Sequence, residues 1–207
     1  MFSPEPVRSL GEPLVHDPAA RDARELAWFD GLRAGDARSF EALFRAYAEP
    51  LCSFAYSYVE SESLAQEIVQ DLFARLWERR ETLERPRSVQ AYLYGATRNR
   101  ALNELRSRRV ETAFLRRALR LEGARASNAR PVPPEDDLNA STLAVAVERA
   151  VADLPPRCRE VFTLTRDQYL TYAEAAEALG ISPKTVEIHV GRALALLRQK
   201  LAGWLSA

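Results

Sequence analysis

Few residues of this 207-residue chain could bind a metal ion or form a disulfide. There are two cysteines, Cys52 and Cys158, and two histidines, His16 and His189. A structural zinc site needs about four closely spaced ligands, so we expect no metal site. Two lone thiols also give no disulfide framework, which is typical of a protein of the reducing cytosol.

Long apolar runs are scarce as well. No stretch approaches the ~18–20 apolar residues needed to cross a bilayer. The first residues, MFSPEPVRSLGEP, contain prolines and acids where a signal peptide has a basic start and an apolar core. The sequence also has no GKS/T phosphate loop and no nucleophile motif. We therefore expect a cytoplasmic protein without stable membrane insertion, without a cofactor and without enzymatic activity.

A net charge is lacking too, but the charges are unevenly distributed along the chain. Lys plus Arg and Asp plus Glu both total 29. Residues 98–130 contain ten arginines and three glutamates, which gives a net charge of +7. Residues 60–85 contain seven acids and four arginines, which gives −3. An acidic segment followed by a basic one suggests two different partners.

Hydrophobic periodicity and proline content predict an all-α protein with two small helical domains and a flexible linker. Apolar residues recur at steps of three and four from Phe40 to Tyr58, with Asp36 as a candidate N-cap and Pro50 as a possible kink or break. Further helices are predicted at about 63–80 and 90–109. The stretch 123–140 is rich in proline and small residues and reads as extended. The predicted parts are a flexible extension (1–24), a first domain (25–115), a linker (116–140) and a second domain (141–207).

The segment 170–192 has the pattern of a helix-turn-helix. A short helix (172–179) stops at Gly180, which accepts the left-handed conformation. Ser182 can cap the next helix, with Pro183 at its first position. In this motif the second helix enters the major groove of DNA, although a plain helical hairpin has part of the same pattern. The second helix would present Lys184, Thr185, Glu187, Ile188, His189 and Arg192.

Two surfaces of the first domain are further candidates for binding. One is the basic helix near 92–109, whose predicted exposed face includes Arg98, Asn99 and Asn103. Arginines neutralise phosphates and asparagine can bind adenine, but these arginines also favour a helix C-terminus through its dipole. The other is a polar face of the 63–80 helix, which either is simply solvated or binds a partner. That face consists of Gln66, Glu67, Gln70 and Asp71.

Taken in this order, these features resemble the extracytoplasmic-function branch of the bacterial sigma-70 family, from about residue 33 to 201. The resemblance rests on SFEALFRAYA (39–48), AQEIVQDLFARLW (65–77), AYLY (91–94) with RNRALNELR (98–106), and LPPRCREVF (154–162) ahead of the helix-turn-helix. These minimal sigma factors have only the region-2 and region-4 domains. The resemblance implies a non-catalytic subunit that binds core RNA polymerase, recognises the −10 and −35 promoter elements and promotes DNA melting.

The resemblance also implies roles for residues and partners. The face Gln66, Glu67, Gln70 and Asp71 would dock on the clamp helices of the largest polymerase subunit. The loop 84–89 would capture a flipped base, and the helix-turn-helix set named above would read the −35 element. The linker, with Glu135, Asp136 and Asp137, would thread through polymerase channels, and an anti-sigma factor would be a further partner. The implied −10 set is Arg87, Ser88, Arg98, Asn99, Asn103, Arg106, Arg108 and Arg109.

Two alternatives remain open at this point. One is a stand-alone helix-turn-helix transcriptional regulator, and the string 182–189 equally resembles the DNA-binding domains of response regulators. Such a regulator usually shows a dimerisation or ligand-sensing module, whereas the first half of this chain offers the acidic face and the basic helix. The other is a protein-interaction adaptor. Binding to core polymerase separates the sigma-factor interpretation from both.

Overall fold

Every regular element in the described part of this computed structural model is a helix. The structure describes residues 18–121 and 143–205. The prediction of an all-α fold is confirmed. The first domain contains α1 (Pro18–Arg33), α2 (Ala37–Val59), α3 (Glu62–Glu78), a short 3-10 turn (Arg80–Thr82) and α4 (Val89–Leu121). The second contains α5 (Leu143–Ala152), α6 (Pro156–Phe162) with a π turn (Thr163–Asp167), α7 (Tyr172–Leu179), α8 (Pro183–Lys200) and α9 (Ala202–Leu205).

Helix α2 begins where the sequence predicts and is not interrupted. The Asp36 carboxylate caps it by accepting hydrogen bonds from the backbone N–H groups of Arg38 and Ser39. Pro50 lies inside the helix but does not split it. Tyr47 and Leu51, on either side of the proline, are both buried. Packing on both sides therefore holds the helix together despite the lost internal hydrogen bond.

Two helix ends differ from the sequence expectation. Helix α1 begins at Pro18, so residues 18–24 are helical, whereas the sequence predicts a flexible extension there. A proline at the first position of a helix is favourable because its missing N–H has no partner there. Helix α4 continues to Leu121, twelve residues beyond 109 and into the expected linker. No proline or glycine lies between Gly95 and Gly123, so nothing in that stretch ends the helix. Residues 1–17, 122–142 (including Glu135, Asp136 and Asp137) and 206–207 lie outside the described residues.

The two domains share one hydrophobic core. Phe54, Phe73 and Tyr94 of the first domain belong to the same buried cluster as Leu164 and Val186 of the second. Helix α7 packs directly on α4, and α1 packs on both α2 and α4. A second cluster, around Ala150, Leu154, Cys158, Ala193 and Leu197, closes the far end of the second domain. Within the described ranges, no helix has the length and apolar character needed to cross a membrane.

Candidate nucleic-acid interface

The helix-turn-helix forms by the local signals that its sequence contains. Thr171 caps α7 in a capping box with Glu174, each side chain bonding the other's backbone N–H. Gly180 ends α7 in the left-handed conformation, with φ of +64°. Ser182 caps α8 by accepting a hydrogen bond from the Thr185 N–H at 3.1 Å, and Pro183 takes the first helical position. The predicted turn between the two helices is therefore confirmed in its local geometry.

Most of the residues that we expected α8 to present are on its surface. Lys184, Glu187, Ile188 and Arg192 are exposed, and Thr185 is half-buried beside Ser182. Lys184 Nζ and Glu187 Oε2 form an ion pair at 2.8 Å. Ile188 and Arg192 are not part of this pair. They present an apolar and a basic side chain on the outer surface of α8.

His189 differs from the other members of that set. Its ring is half-buried, and Nδ1 lies 3.7 Å from the Sγ atom of the buried Cys158 on α6. One edge of the imidazole therefore faces the interior of the second domain. Helical periodicity places His189 near the outer face, but its neighbour Cys158 lies on another helix of the same domain and is visible only in the folded chain.

The polar face of α3 is exposed, with one exception. Gln66, Glu67 and Gln70 are open to solvent. The Asp71 carboxylate accepts hydrogen bonds from Arg75 Nε at 2.9 Å and from Arg100 Nε at 3.1 Å. Partial burial acts to raise the pKa of Asp71, but the hydrogen bonds and charges of these two arginines lower it overall. Asp71 thus also ties α3 to α4, a structural role that the sequence did not reveal.

The exposed part of α4 is basic and lies beside this acidic face. Asn99 and Asn103 are exposed one turn apart, and the Asn103 Oδ1 atom accepts a hydrogen bond from Arg106 Nη1 at 3.0 Å. Arg108 pairs with Glu104 at 2.9 Å. A groove of about 420 Å³ between α3 and α4 is lined by residues of both surfaces, so the two are continuous. Arg87, ahead of α4, and Arg109 are also exposed.

Two members of the expected −10 set are buried instead of exposed. Only 5% of the surface of Ser88 and 9% of the surface of Arg98 are exposed to solvent. The Ser88 hydroxyl donates to Glu174 Oε1 at 2.7 Å, and Arg98 Nε donates to Glu160 Oε1 at 3.3 Å. The expectation that Arg98 lies on an exposed face is therefore wrong for this conformation. The second domain covers it, and helical periodicity carries no information about a second domain.

Further polar contacts join the domains at the same surface. Gln168 receives hydrogen bonds from two residues of α4: its backbone oxygen accepts from Gln90 Nε2 at 2.6 Å, and its side-chain oxygen from the Tyr94 hydroxyl. The Tyr58 hydroxyl donates to Glu160 Oε1 at 2.7 Å. Burial is the main cause of the raised pKa values of Tyr58 and Tyr94, so both remain protonated donors.

Sequence reasoning missed the residues of the second domain that make these contacts. Thr171 and Glu174 stand three apart in the T-x-x-E pattern of a capping box, and this signal could have identified the local role of Glu174. Nothing local marks Glu160 or Gln168 as partners of α4.

In the part of the chain that the structure describes, no group of three His, Cys, Asp or Glu side chains is arranged to hold a metal ion.

Comparison with known proteins matches both halves of the chain. The family description Sigma-70 region 2 matches residues 43–111, and Sigma-70, region 4 matches 144–197. The RNA polymerase sigma factor CnrH of Cupriavidus metallidurans is 32% identical over 179 residues, covering 84% of this chain and 90% of that protein. The RNA polymerase sigma factor NccH of Alcaligenes xylosoxydans is 29% identical over 188 residues, covering 91% of this chain and 95% of the relative. The structure of CnrH in complex with the cytosolic domain of CnrY shares the fold, with a TM-score of 0.60, 24% identity and coverage of 87% of this chain and 98% of that one.

Proposed function

Because this chain belongs to the extracytoplasmic-function branch of the sigma-70 family of RNA polymerase sigma factors, we propose that one of its three polar surfaces binds the polymerase and the other two recognise the promoter. Members of the family are non-enzymatic proteins that bind RNA polymerase and direct transcription initiation at specific promoters. The observation that carries the proposal is that both matched regions occur in order and each includes an exposed polar helix face.

Helix α3 is the proposed polymerase-binding surface. Gln66, Glu67 and Gln70 form an exposed face, and the surrounding segment 60–85 has a net charge of −3. The proposed receptor is the pair of clamp helices of the largest polymerase subunit. Two arginines already bind the Asp71 carboxylate. Asp71 therefore positions α3 against α4 and is less available to the polymerase than a free carboxylate.

The loop before α4 and α4 itself form the proposed −10 surface. Amides can hydrogen-bond base edges, and Asn99 and Asn103 are available for this on the exposed face. Arginines bind phosphates without sequence preference. We therefore assign contacts with the DNA backbone to the arginines before and after the two asparagines, namely Arg87, Arg106, Arg108 and Arg109. Ser88 and Arg98 join this surface only when the second domain moves away.

Helix α8 is the proposed reader of the −35 element. Its exposed Lys184, Glu187, Ile188 and Arg192 follow the tight turn in the position of a recognition helix. His189 supports the helix from its inner side, and Thr185 stays beside the N-cap.

Two further proposals concern the setting of the protein. The solved relative CnrH is bound to the cytosolic domain of CnrY, and we propose that this chain also has a protein partner that restrains it, an anti-sigma factor. We propose the cytoplasm as its location, since polymerase and promoter DNA are found there.

The stand-alone regulator is not favoured, because the region-2 match covers the half of the chain that such a regulator does not need.

The substitution Gln70→Arg tests the polymerase-binding surface. Gln70 is exposed on α3, and a positive charge there is expected to weaken binding to core polymerase about tenfold, or about 1.4 kcal/mol. Binding is measured by co-purification and by titration of labelled protein with core enzyme, and function by run-off transcription from genomic promoter fragments.

The matched control is Ala46→Arg, which adds the same charge at an exposed position of α2. It should leave core binding unchanged. If Gln70→Arg binds core polymerase as well as the wild type, α3 does not carry the contact. If the wild type itself fails to bind core polymerase, the proposed function is wrong.

A further inference from the structure

Polar contacts between the two domains converge on the carboxylate of Glu174. This side chain is buried, with 7% of its surface exposed. Its Oε1 atom accepts hydrogen bonds from Arg21 Nη2 at 2.6 Å and from Ser88 Oγ at 2.7 Å, which come from α1 and from the loop before α4. Its Oε2 atom accepts from the backbone N–H and the hydroxyl of Thr171, both at 2.8 Å. Three separate segments of the chain are therefore tied to one carboxylate.

Among the described residues, Arg21 is the only one that forms a salt bridge with Glu174. Both partners are nearly buried, with side-chain exposures of 11% and 9%. An ion pair that is shielded from water is screened by salt far less than a surface pair, and removing one partner leaves an uncompensated charge. Arg21 Nη1 also donates to the backbone oxygen of Tyr169 at 3.3 Å, so α1 is attached to the segment that leads into α7.

The backbone itself is built for close approach at this interface. Gly95 of α4 lies against α7, where an added Cβ atom would be 3.2 Å from the Ala178 carbonyl oxygen and 3.3 Å from its Cα atom. Such contacts are tighter than most Cβ contacts in proteins, so a side chain at this position would push α4 and α7 apart by a few tenths of an ångström. The position is helical and its φ is ordinary, so the turn requirements that usually select glycine do not apply here.

In this structure the second domain packs on the first, an arrangement that we call closed. It covers one proposed binding surface and leaves another open. Ser88 and Arg98 are buried under the second domain. Gln66, Glu67 and Gln70 on α3 remain exposed. The closed protein can therefore present its polymerase-binding face while part of its −10 surface is inaccessible to DNA.

We propose that Arg21 and Glu174 form a clasp that holds the two domains together in the free protein and shields Ser88 and Arg98 from DNA. The inference rests on the proposed −10 role of those two residues. It gives helix α1, which precedes the matched region 2, a regulatory role: polymerase can engage α3 first, and the −10 surface becomes complete when the clasp opens.

Hydrogen–deuterium exchange of the full chain tests the clasp directly. In Arg21→Ala the capping box of Thr171 and Glu174 stays intact, while the ion pair is lost. Exchange in residues 88–95 and in α7 (Tyr172–Leu179) is expected to rise about tenfold, because the interface opens more often. The control Arg24→Ala removes the same charge from the same helix, at an exposed position that stacks on Trp28. It should exchange like the wild type.

A second variant opens the interface by a different route. Gly95→Leu places a large side chain where α4 and α7 touch, and it favours helix in α4, so the first domain should keep its fold. Its exchange in Tyr172–Leu179 should also rise. If Gly95→Leu exchanges faster but Arg21→Ala exchanges at the wild-type rate, the interface can open but the clasp does not hold it.

Shielding is tested with DNA and without polymerase. A labelled 20-nucleotide single strand rich in adenine and thymine should bind Arg21→Ala about tenfold more tightly than the wild type or Arg24→Ala, by fluorescence anisotropy at low salt. Faster exchange without tighter binding would mean that the clasp exists but shields nothing. Failure of the wild type to bind core polymerase would instead contradict the proposed function, and it would leave the exchange result standing.

Discussion

Neighbouring residues on α8 have different surroundings although they are adjacent in the chain. Ile188 is 59% exposed, while His189 turns one ring edge toward Cys158. Arg192 lies one turn beyond Ile188 on the outer surface. In a major groove, an apolar side chain can contact a thymine methyl group and an arginine can bind guanine. These two residues are the ones that we expect to discriminate bases.

Arg192→Ala is expected to weaken binding to a −35 duplex by about 1–3 kcal/mol if the guanidinium reads a base. The control is Arg198→Ala, which removes an exposed arginine from the last turn of the same helix. Duplex affinity is measured by anisotropy with promoter fragments that support transcription. Equal effects of both variants would mean that Arg192 contributes only general positive charge.

At the scale of the elements, the turn between α7 and α8 depends on a single backbone conformation. Gly180 has a φ of +64°, and an added Cβ atom would meet no other atom within 4 Å. Any cost of a side chain there is therefore conformational and not steric. Gly191 offers the opposite case, since it lies inside α8 with open space around it and no positive φ.

We expect Gly180→Ala and Gly191→Ala to change stability in opposite directions. Gly180→Ala should lower the free energy of unfolding by about 1–2 kcal/mol, because an L-residue is strained in the left-handed region. Gly191→Ala should raise it by about 0.5–1 kcal/mol, because alanine favours a helix interior. Urea unfolding followed by circular dichroism measures both. Destabilisation by Gly191→Ala would show that this glycine is required for a contact of α8.

For the molecule as a whole, the zero net charge hides an arrangement of opposite surfaces. The acidic face of α3 adjoins the basic surface of α4, and Asp71 with Arg100 links them at 3.1 Å. The same pairing of opposite charges recurs between the domains, in Arg21 with Glu174 and Arg98 with Glu160. Part of the positive charge that could bind DNA is thus neutralised inside the closed protein.

The closed arrangement is expected to loosen in acid. Burial acts to raise the pKa of Glu174, but hydrogen bonds from Thr171 and Ser88 and the charge of Arg21 lower it below its ordinary value of 4.5. A lowered pKa in the folded state means that this contribution to stability is complete above pH 4.5 and is lost as pH falls through the lowered value. Glu25, whose pKa is raised mainly by burial, acts in the opposite sense because it protonates earlier. The charged groups facing this site are Arg21, Asp22 and Glu25 of α1, Arg87 of the loop and Glu177 of α7.

The backbone amide of Gly95 reports this change, since it lies under α7. Its chemical shift in a pH titration downward from pH 7 should show a transition below pH 4.5 in the wild type. Glu174→Gln keeps a hydrogen-bond acceptor but does not titrate, so its Gly95 amide should lack that transition. The same transition in both proteins would assign it to another carboxylate.

Much of the helical framework could be predicted from the amino-acid sequence. The caps Asp36 and Ser182, the stop at Gly180 and the exposed faces of α3 and α8 depend on residues within about four positions of each other. The prediction failed where a helix lacked a stop signal, as at the end of α4, or began early at a favourable proline, as in α1. Both failures concern element boundaries, which depend weakly on local pattern.

Local spacing and side-chain chemistry thus settle the helices, the turn of the DNA-reading motif and the order of the two regions. The partners of buried polar groups are settled only by packing. Arg21 and Glu174 are 153 positions apart, and Tyr94 and Gln168 are 74 apart. Ser88 and Arg98 have the composition of a DNA-binding surface, yet the folded chain buries both. The reason is physical: helix periodicity acts over a few residues, whereas burial depends on which distant helices pack together.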